Sequence, residues 1–167
     1  MYRQALEPGS TPQLVTPTSK MNFYIARFSP DGASLLLEGE PYGSRTMGLY
    51  RTGRNGGVPQ LLFPLDRMVN FWCTNPAADR CVIEGASAKD ELVITSLDPL
   101  GGARQELRRI RLQAGSIGGV GFDYTWQLSP DGAWIAVVRR HGNQITLARL
   151  DVRQDSGRHA EARCTVP

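Results

Sequence analysis

Phe28-Ser29-Pro30-Asp31-Gly32 returns as Leu128-Ser129-Pro130-Asp131-Gly132, with an apolar run before and after each copy. Proline sets the torsion for the second position of a type I turn, aspartate accepts local amide hydrogen bonds, and glycine takes the left-handed torsion that follows. The flanks are rich in aromatic and branched residues, which favour strands. Each copy therefore predicts a β-hairpin. The predicted strands are 23–28 and 35–37 in one hairpin, and 124–128 and 134–138 in the other.

The second strand of each hairpin is nearly continuously apolar rather than alternating. This pattern predicts that residues 35–37 and 134–138 are buried on both faces of their sheets.

A second repeat has a shorter period. Residues 2–17 align with residues 50–64, and Pro12 and Pro59 are 47 residues apart, close to the roughly 40 to 50 residues of a propeller blade. The two Ser-Pro-Asp-Gly turns are then about two periods apart, so a degenerate copy should lie between them. Residues 69–73, 75–79 and 81–83 fit that copy as strand, turn and strand.

The rest of the chain supplies outer strands for the same units. Third strands are predicted at 48–51, 92–97 and 144–150, and fourth strands at 58–63, 107–112 and, least securely, 162–166. The fold class is therefore all-β, built of four-stranded antiparallel propeller blades. A half blade is predicted at 1–17, and blades at 21–64, 68–112 and 122–167. Closed rings typically have four to eight blades, so about three and a half blades indicate part of a larger propeller or a stack closed by another copy.

Composition bounds the function classes. A chain of 167 residues with 41% hydrophobic content is long enough to fold as one domain. It has no run of ~18 apolar residues and no hydrophobic signal-peptide segment at its start, so no membrane insertion is predicted. The net charge is +3. Its densest basic cluster, without aromatic interleaving, is assigned to an exposed edge strand and not to nucleic acid. The cluster is Arg104, Arg108, Arg109 and Arg111.

Few residues suggest reactive chemistry. Cys73 and Cys81 flank one turn, and both a disulfide and two buried thiols fit that placement. A disulfide would imply an oxidising compartment. His141 and His159 have no nucleophile in a recognisable motif, and no second ligand pair supports zinc. We therefore predict no catalytic residue, no metal and no cofactor.

Aromatic residues cluster on the first strands of the units. Most are expected to pack between neighbouring blades, where large aromatics dominate. Tyr24 and Tyr124, with Asn22 and Asp123, could instead form the rim of a binding face, although packing is the favoured interpretation.

Residues 28–40, 49–62 and 126–138 resemble the TolB-like repeat of bacterial propellers: an aromatic residue, Ser-Pro-Asp-Gly, a short apolar strand, a third strand and a Gly-Gly turn. A narrower resemblance is to the propellers that follow serine/threonine kinase or winged-helix domains in acidobacteria, where a middle blade carries two cysteines as at Cys73 and Cys81. The resemblance implies a structural repeat and nominates no active-site residue.

These observations predict a non-enzymatic propeller module for protein interaction or ligand sensing, in a bacterial signalling protein with a fused kinase or winged-helix domain upstream. Two alternatives stay open: the accessory propeller of a prolyl-oligopeptidase-like serine peptidase, and a stand-alone periplasmic TolB-like envelope protein. A periplasmic or other extracytoplasmic location is favoured over the cytoplasm.

Overall fold

The computed structural model describes residues 2–3, 7–14, 20–74, 78–85, 91–111, 124–139, 144–150 and 162–165. Within these residues every regular element is a strand, and all strand pairs are antiparallel. The strands are β1 Tyr2–Arg3, β2 Gln13–Leu14, β3 Met21–Phe28, β4 Ser34–Pro41, β5 Met47–Gly53, β6 Gln60–Leu65, β7 Phe71–Cys73, β8 Cys81–Glu84, β9 Glu91–Leu97, β10 Arg104–Arg111, β11 Tyr124–Leu128, β12 Trp134–Arg139, β13 Gln144–Arg149 and β14 Ala162–Thr165.

Three four-stranded sheets follow one another along the chain. The first sheet is β3 to β6, the second β7 to β10 and the third β11 to β14, and strand order within each follows chain order. The all-β class and the series of antiparallel four-stranded sheets are confirmed. The third sheet includes β14, the strand that the sequence predicted least securely.

Both Ser-Pro-Asp-Gly segments form the predicted turn. The amide of Gly32 donates to the carbonyl of Ser29 at 2.8 Å, and that of Gly132 to Ser129 at 2.9 Å. Both glycines have left-handed torsions, with φ of 67° and 70°. The serine hydroxyl accepts the amide five residues on, at 2.9 Å in both copies. The repeated sequence therefore makes a repeated hydrogen-bond set.

The middle turn reproduces part of this set with different residues. Thr74 takes the place of the serine: its hydroxyl accepts the amide of Arg80 at 2.9 Å, and its amide donates to the carbonyl of Arg80 at 2.8 Å. Residues 75–77 of the predicted turn lie outside the described residues.

The short sheet β1–β2 has the register that the 47-residue repeat implies. Tyr2 pairs with Leu14 and Arg3 with Gln13, as Tyr50 pairs with Leu61 and Arg51 with Gln60 between β5 and β6. These two strands therefore correspond to the third and fourth strands of a unit.

Side chains from adjacent sheets form the core. Between the first and second sheets, Leu36 and Leu49 pack with Phe71 and Ile83. Between the second and third sheets, Val82 and Ile94 belong to a larger cluster with Trp126 and Ile135. The second sheet is thus covered on both faces, as in a blade that lies between two others.

Two expectations about burial are wrong. Residues 134–138 are not buried on both faces, because Trp134 and Val138 are each 38% exposed while Ile135 and Val137 are buried. In the part of the chain that the structure describes, a neighbouring sheet packs against only one face of β12. Arg108 is not part of the exposed basic edge either. It is buried, because an irregularity in register between Glu106 and Arg108 turns its side chain inward.

Candidate functional site

A pocket of about 200 Å³ opens where the first strands of the three sheets approach one another. The first sheet contributes Ile25 of β3, the second contributes Glu84 of β8, and the third contributes three residues of β11. We call this cavity the Glu84 pocket, after its buried carboxylate. Its lining is Ile25, Met68, Val69, Asn70, Glu84, Tyr124, Thr125 and Trp126.

Glu84 is held in a fixed position by three side chains. The hydroxyl of Tyr124 donates to Oε1 at 2.8 Å, and the indole N–H of Trp126 donates to Oε2 at 3.3 Å. Nη2 of Arg67 forms an ion pair with Oε1 at 3.0 Å, reaching it from a half-exposed side chain. Burial and the charge of Glu84 raise the pKa of Tyr124 well above its usual value. The phenol therefore stays protonated as a donor.

A second carboxyl group lies behind the pocket wall. Oε1 of Glu38 accepts the amide of the lining residue Val69 at 2.8 Å. Oε2 of Glu38 is buried without a hydrogen-bond partner, and the residue is 0% exposed. Burial raises the pKa of Glu38 to about 7; the charge of Glu84 raises it too, and the Val69 amide opposes the shift.

The structure describes three of the four predicted rim residues and does not bring all three to one site. Tyr124 lines the pocket and binds Glu84. Tyr24 does not line it: its hydroxyl donates to Glu40 at 2.6 Å and the residue is 48% exposed. Asn22 lies in β3 opposite Glu40, away from the pocket lining. Asp123 lies outside the described residues, as do the two histidines.

Sequence reasoning missed both glutamates. Each directly follows the apolar run of its second strand, after residues 35–37 and 81–83. If the second strands are aligned by the turns that precede them, Glu38 and Glu84 fall at the same position. A carboxylate at the same repeat position in two apolar strands was the signal that could have identified them.

Cys73 and Cys81 form a disulfide across the turn between β7 and β8. The two residues are paired in register, so the bridge links neighbouring strands at the end of the second sheet.

Other chemistry is not assembled in the described part of the chain. No three His, Cys, Asp or Glu side chains come close enough there to hold a metal ion. Among the same residues no helix has the length and hydropathy needed to cross a membrane. Arg109 of the basic edge binds Glu106 and Glu91, and Arg104 lies over the ring of Phe63 at 4.2 Å. Two arginines of the predicted basic cluster therefore already have partners: Arg109 within the second sheet, and Arg104 on the first sheet.

No family model and no curated protein matches the chain. Solved propeller-like structures do. A protein from Agrobacterium tumefaciens assigned as TolB is similar over 90% of this chain and 51% of its own, with 24% identity and a TM-score of 0.57. A protein from Bacteroides uniformis assigned as a 6-phosphogluconolactonase is similar over 96% of this chain and 48% of its own, with 14% identity and a TM-score of 0.51. The chain thus has a TolB-like propeller fold and spans about half the length of these proteins.

Proposed function

We propose that this chain is a non-catalytic propeller module that binds a small ligand, or a group presented by a partner protein, in the Glu84 pocket. The observation that carries the proposal is the fixed carboxylate of Glu84 at a cavity shared by three sheets. Concave sites with an apolar lining and a few oriented polar groups are typical of ligand binding. Around Glu84 the lining is mainly apolar and aromatic.

The chemistry of the pocket favours a positively charged group. Glu84 is an acceptor when ionised, and Tyr124 and Trp126, which both line the pocket, are residue types whose rings attract cations. The natural competitor is Arg67, whose side chain already reaches Oε1 from the solvent side. A ligand cation of small size would displace this guanidinium and keep the two neutral donors of Glu84 in place.

Binding of small organic cations tests this function. Methylammonium and tetramethylammonium serve as probes, acetate as the anionic control, and the readouts are the melting temperature and tryptophan fluorescence. We expect a saturable response to a cation that Glu84→Gln weakens by about tenfold or more. Arg67→Gln should strengthen it, because the competing cation is removed. The proposal is contradicted if no cation binds saturably, or if neither Glu84→Gln nor Arg67→Gln changes the affinity for the cation.

The disulfide supports an extracytoplasmic location, because cytosolic thiols are normally kept reduced. Membership in a signalling protein with a kinase or winged-helix domain stays a prediction, as do the peptidase and envelope-protein alternatives. Each predicts a different sequence flanking this segment, so reading that sequence distinguishes them.

A further inference from the structure

A cation without a negative partner among the described residues lies beside the Glu84 pocket. Nε of Arg27 donates to the carbonyl of Phe71 at 2.6 Å, and its guanidinium carbon lies 3.4 Å from the ring centre of Trp72. The residue is partly buried. Within the described part of the chain no carboxylate comes within ion-pair distance of Arg27.

The charge of Arg27 is therefore uncompensated, although charged side chains that lose water are normally paired. Burial lowers the pKa of Arg27 from its usual value, as expected for a cation that loses hydration and gains no anion. Its terminal Nη groups are neither hydrogen-bonded nor fully enclosed by the described residues. They are the groups with which a guanidinium binds a carboxylate through two parallel hydrogen bonds.

The guanidinium lies next to the lining of the pocket. Ile25 lines the pocket, and Arg27 faces the same side of β3 because the two residues are two apart in continuous register. Phe71, whose carbonyl accepts from Arg27, directly follows the lining residue Asn70. Residues two apart on a strand are separated by about 7 Å, so Arg27 lies about one such step beyond the lining.

Glu84 lies at the level of the lining. Its amide donates to the carbonyl of Asn70 at 3.0 Å. The indole of Trp72 connects this level with that of Arg27, because its ring carries the guanidinium and its N–H donates to the carbonyl of the lining residue Trp126 at 3.1 Å. The pocket therefore has a carboxylate at one level and an unpaired guanidinium at the next.

We propose that the ligand of the Glu84 pocket is a small zwitterion whose ammonium group binds Glu84 and whose carboxylate binds the Nη groups of Arg27. This inference rests on the proposed function, since it takes cation binding at Glu84 as given and adds the class of ligand. An ω-amino acid, whose charges are separated by several methylene groups, fits the step between the two levels. Glycine does not, because its two charges are too close together to reach both groups.

Isothermal titration calorimetry of the wild type tests whether a carboxylate strengthens binding. Each amino acid is compared with the alkylammonium ion that lacks its carboxylate: glycine with methylammonium, γ-aminobutyrate with propylammonium, and ε-aminocaproate with pentylammonium. We call the ratio of the two association constants the carboxylate ratio. We expect a carboxylate ratio of about ten or more for at least one of the two longer amino acids, and a ratio near one for glycine.

Variants of two arginines identify the group that binds the carboxylate. Arg27→Gln should lower the carboxylate ratio to near one. Arg67→Gln should keep it high, because Arg67 competes for Glu84 and does not hold the carboxylate. Arg111→Gln, at an exposed arginine of β10, is the matched control and should match the wild type. If circular dichroism shows Arg27→Gln to be unfolded, Arg27→Lys replaces it and should give a smaller ratio than the wild type, because lysine lacks the planar fork.

The outcomes separate this inference from the proposed function. A carboxylate ratio near one for every amino acid in the wild type overturns the zwitterion. So does a ratio that Arg67→Gln abolishes and the Arg27 variants leave high. In both cases, binding of alkylammonium ions that Glu84→Gln weakens leaves the proposed function standing. If neither alkylammonium ions nor amino acids bind, both proposals are wrong.

Discussion

Glu38 and Glu84 occupy the same position in successive sheets, each directly after the buried apolar run of the second strand. Their surroundings differ. Glu84 has two side-chain donors and an arginine, whereas Glu38 has one backbone amide and an unpartnered buried oxygen. One repeat position therefore holds a carboxyl group with three side-chain partners and a carboxyl group for which burial favours the neutral form.

We expect Glu38→Gln to remove a pH-dependent loss of stability. The pKa of Glu38 in the folded protein is about 7, above its ordinary value of 4.5, so the folded state holds the proton more tightly than the unfolded state. The free energy of unfolding therefore decreases as the pH rises from about 4.5 to about 7, by at most about 3 kcal/mol. Glutamine does not titrate and lacks this decrease.

Urea unfolding at pH 5 and pH 8 gives the change in the free energy of unfolding between the two pH values for the wild type and for Glu38→Gln. The difference between these two changes is the contribution of Glu38. Val58→Ala, at a residue 78% exposed, is the control, because it changes no titrating group and should keep the pH dependence of the wild type. If Glu38→Gln loses as much stability as the wild type between the two pH values, the buried carboxyl does not titrate in this range.

Gly132→Ala should destabilise the protein more than Gly32→Ala. Both positions have a left-handed torsion, which costs an alanine about 1 kcal/mol. At Gly132 a Cβ atom would also lie 2.9 Å from Cγ2 of Thr74, whereas at Gly32 it would meet nothing within 4 Å. We expect this crowding to add about 1 kcal/mol, measured from urea midpoints. Equal losses for the two variants would mean that the turn does not press on the second sheet.

The turns could be predicted because their chemistry is local. Proline, aspartate and glycine each fix a torsion or an amide contact within a few residues, so Ser29 to Gly32 and Ser129 to Gly132 indicate hairpins without knowledge of their surroundings. The 47-residue spacing then placed the outer strands. Fourth-strand limits were less accurate, with 58–63 expected and Gln60–Leu65 found, because strand ends depend on pairing partners.

The pocket could not be predicted by the same reasoning. It depends on which first strands approach one another, and Asn70 and Thr125 are unremarkable polar residues within their own segments. The expected burial of 134–138 failed for a related reason. An apolar run indicates that a strand can be buried on both faces. Whether both faces are buried depends on the presence of a neighbouring sheet on each side.

Reduction of the disulfide between Cys73 and Cys81 should lower stability. The bridge closes a short loop, with a sequence separation of 8, for which chain entropy predicts a loss of roughly 2 to 3 kcal/mol. Melting with and without dithiothreitol measures the loss. The double variant Cys73→Ser with Cys81→Ser is the control. Its melting temperature should be close to that of the reduced wild type and should not change when dithiothreitol is added. A wild-type melting temperature that dithiothreitol leaves unchanged, with reduction verified by thiol titration, would show that the bridge adds no stability.

Tyr124→Phe should destabilise the protein more than Tyr24→Phe, although both tyrosines donate to a glutamate. The acceptor of Tyr124 is the buried Glu84, and losing a hydrogen bond to a buried charge costs about 1.5 to 3 kcal/mol. Tyr24 and its bond to Glu40 are exposed, so water replaces the lost donor and we expect a change within about 0.5 kcal/mol. Urea unfolding at pH 8 compares the two. Similar losses would mean that Glu84 does not depend on the phenol, and the pocket would then lack the fixed anion on which cation binding depends.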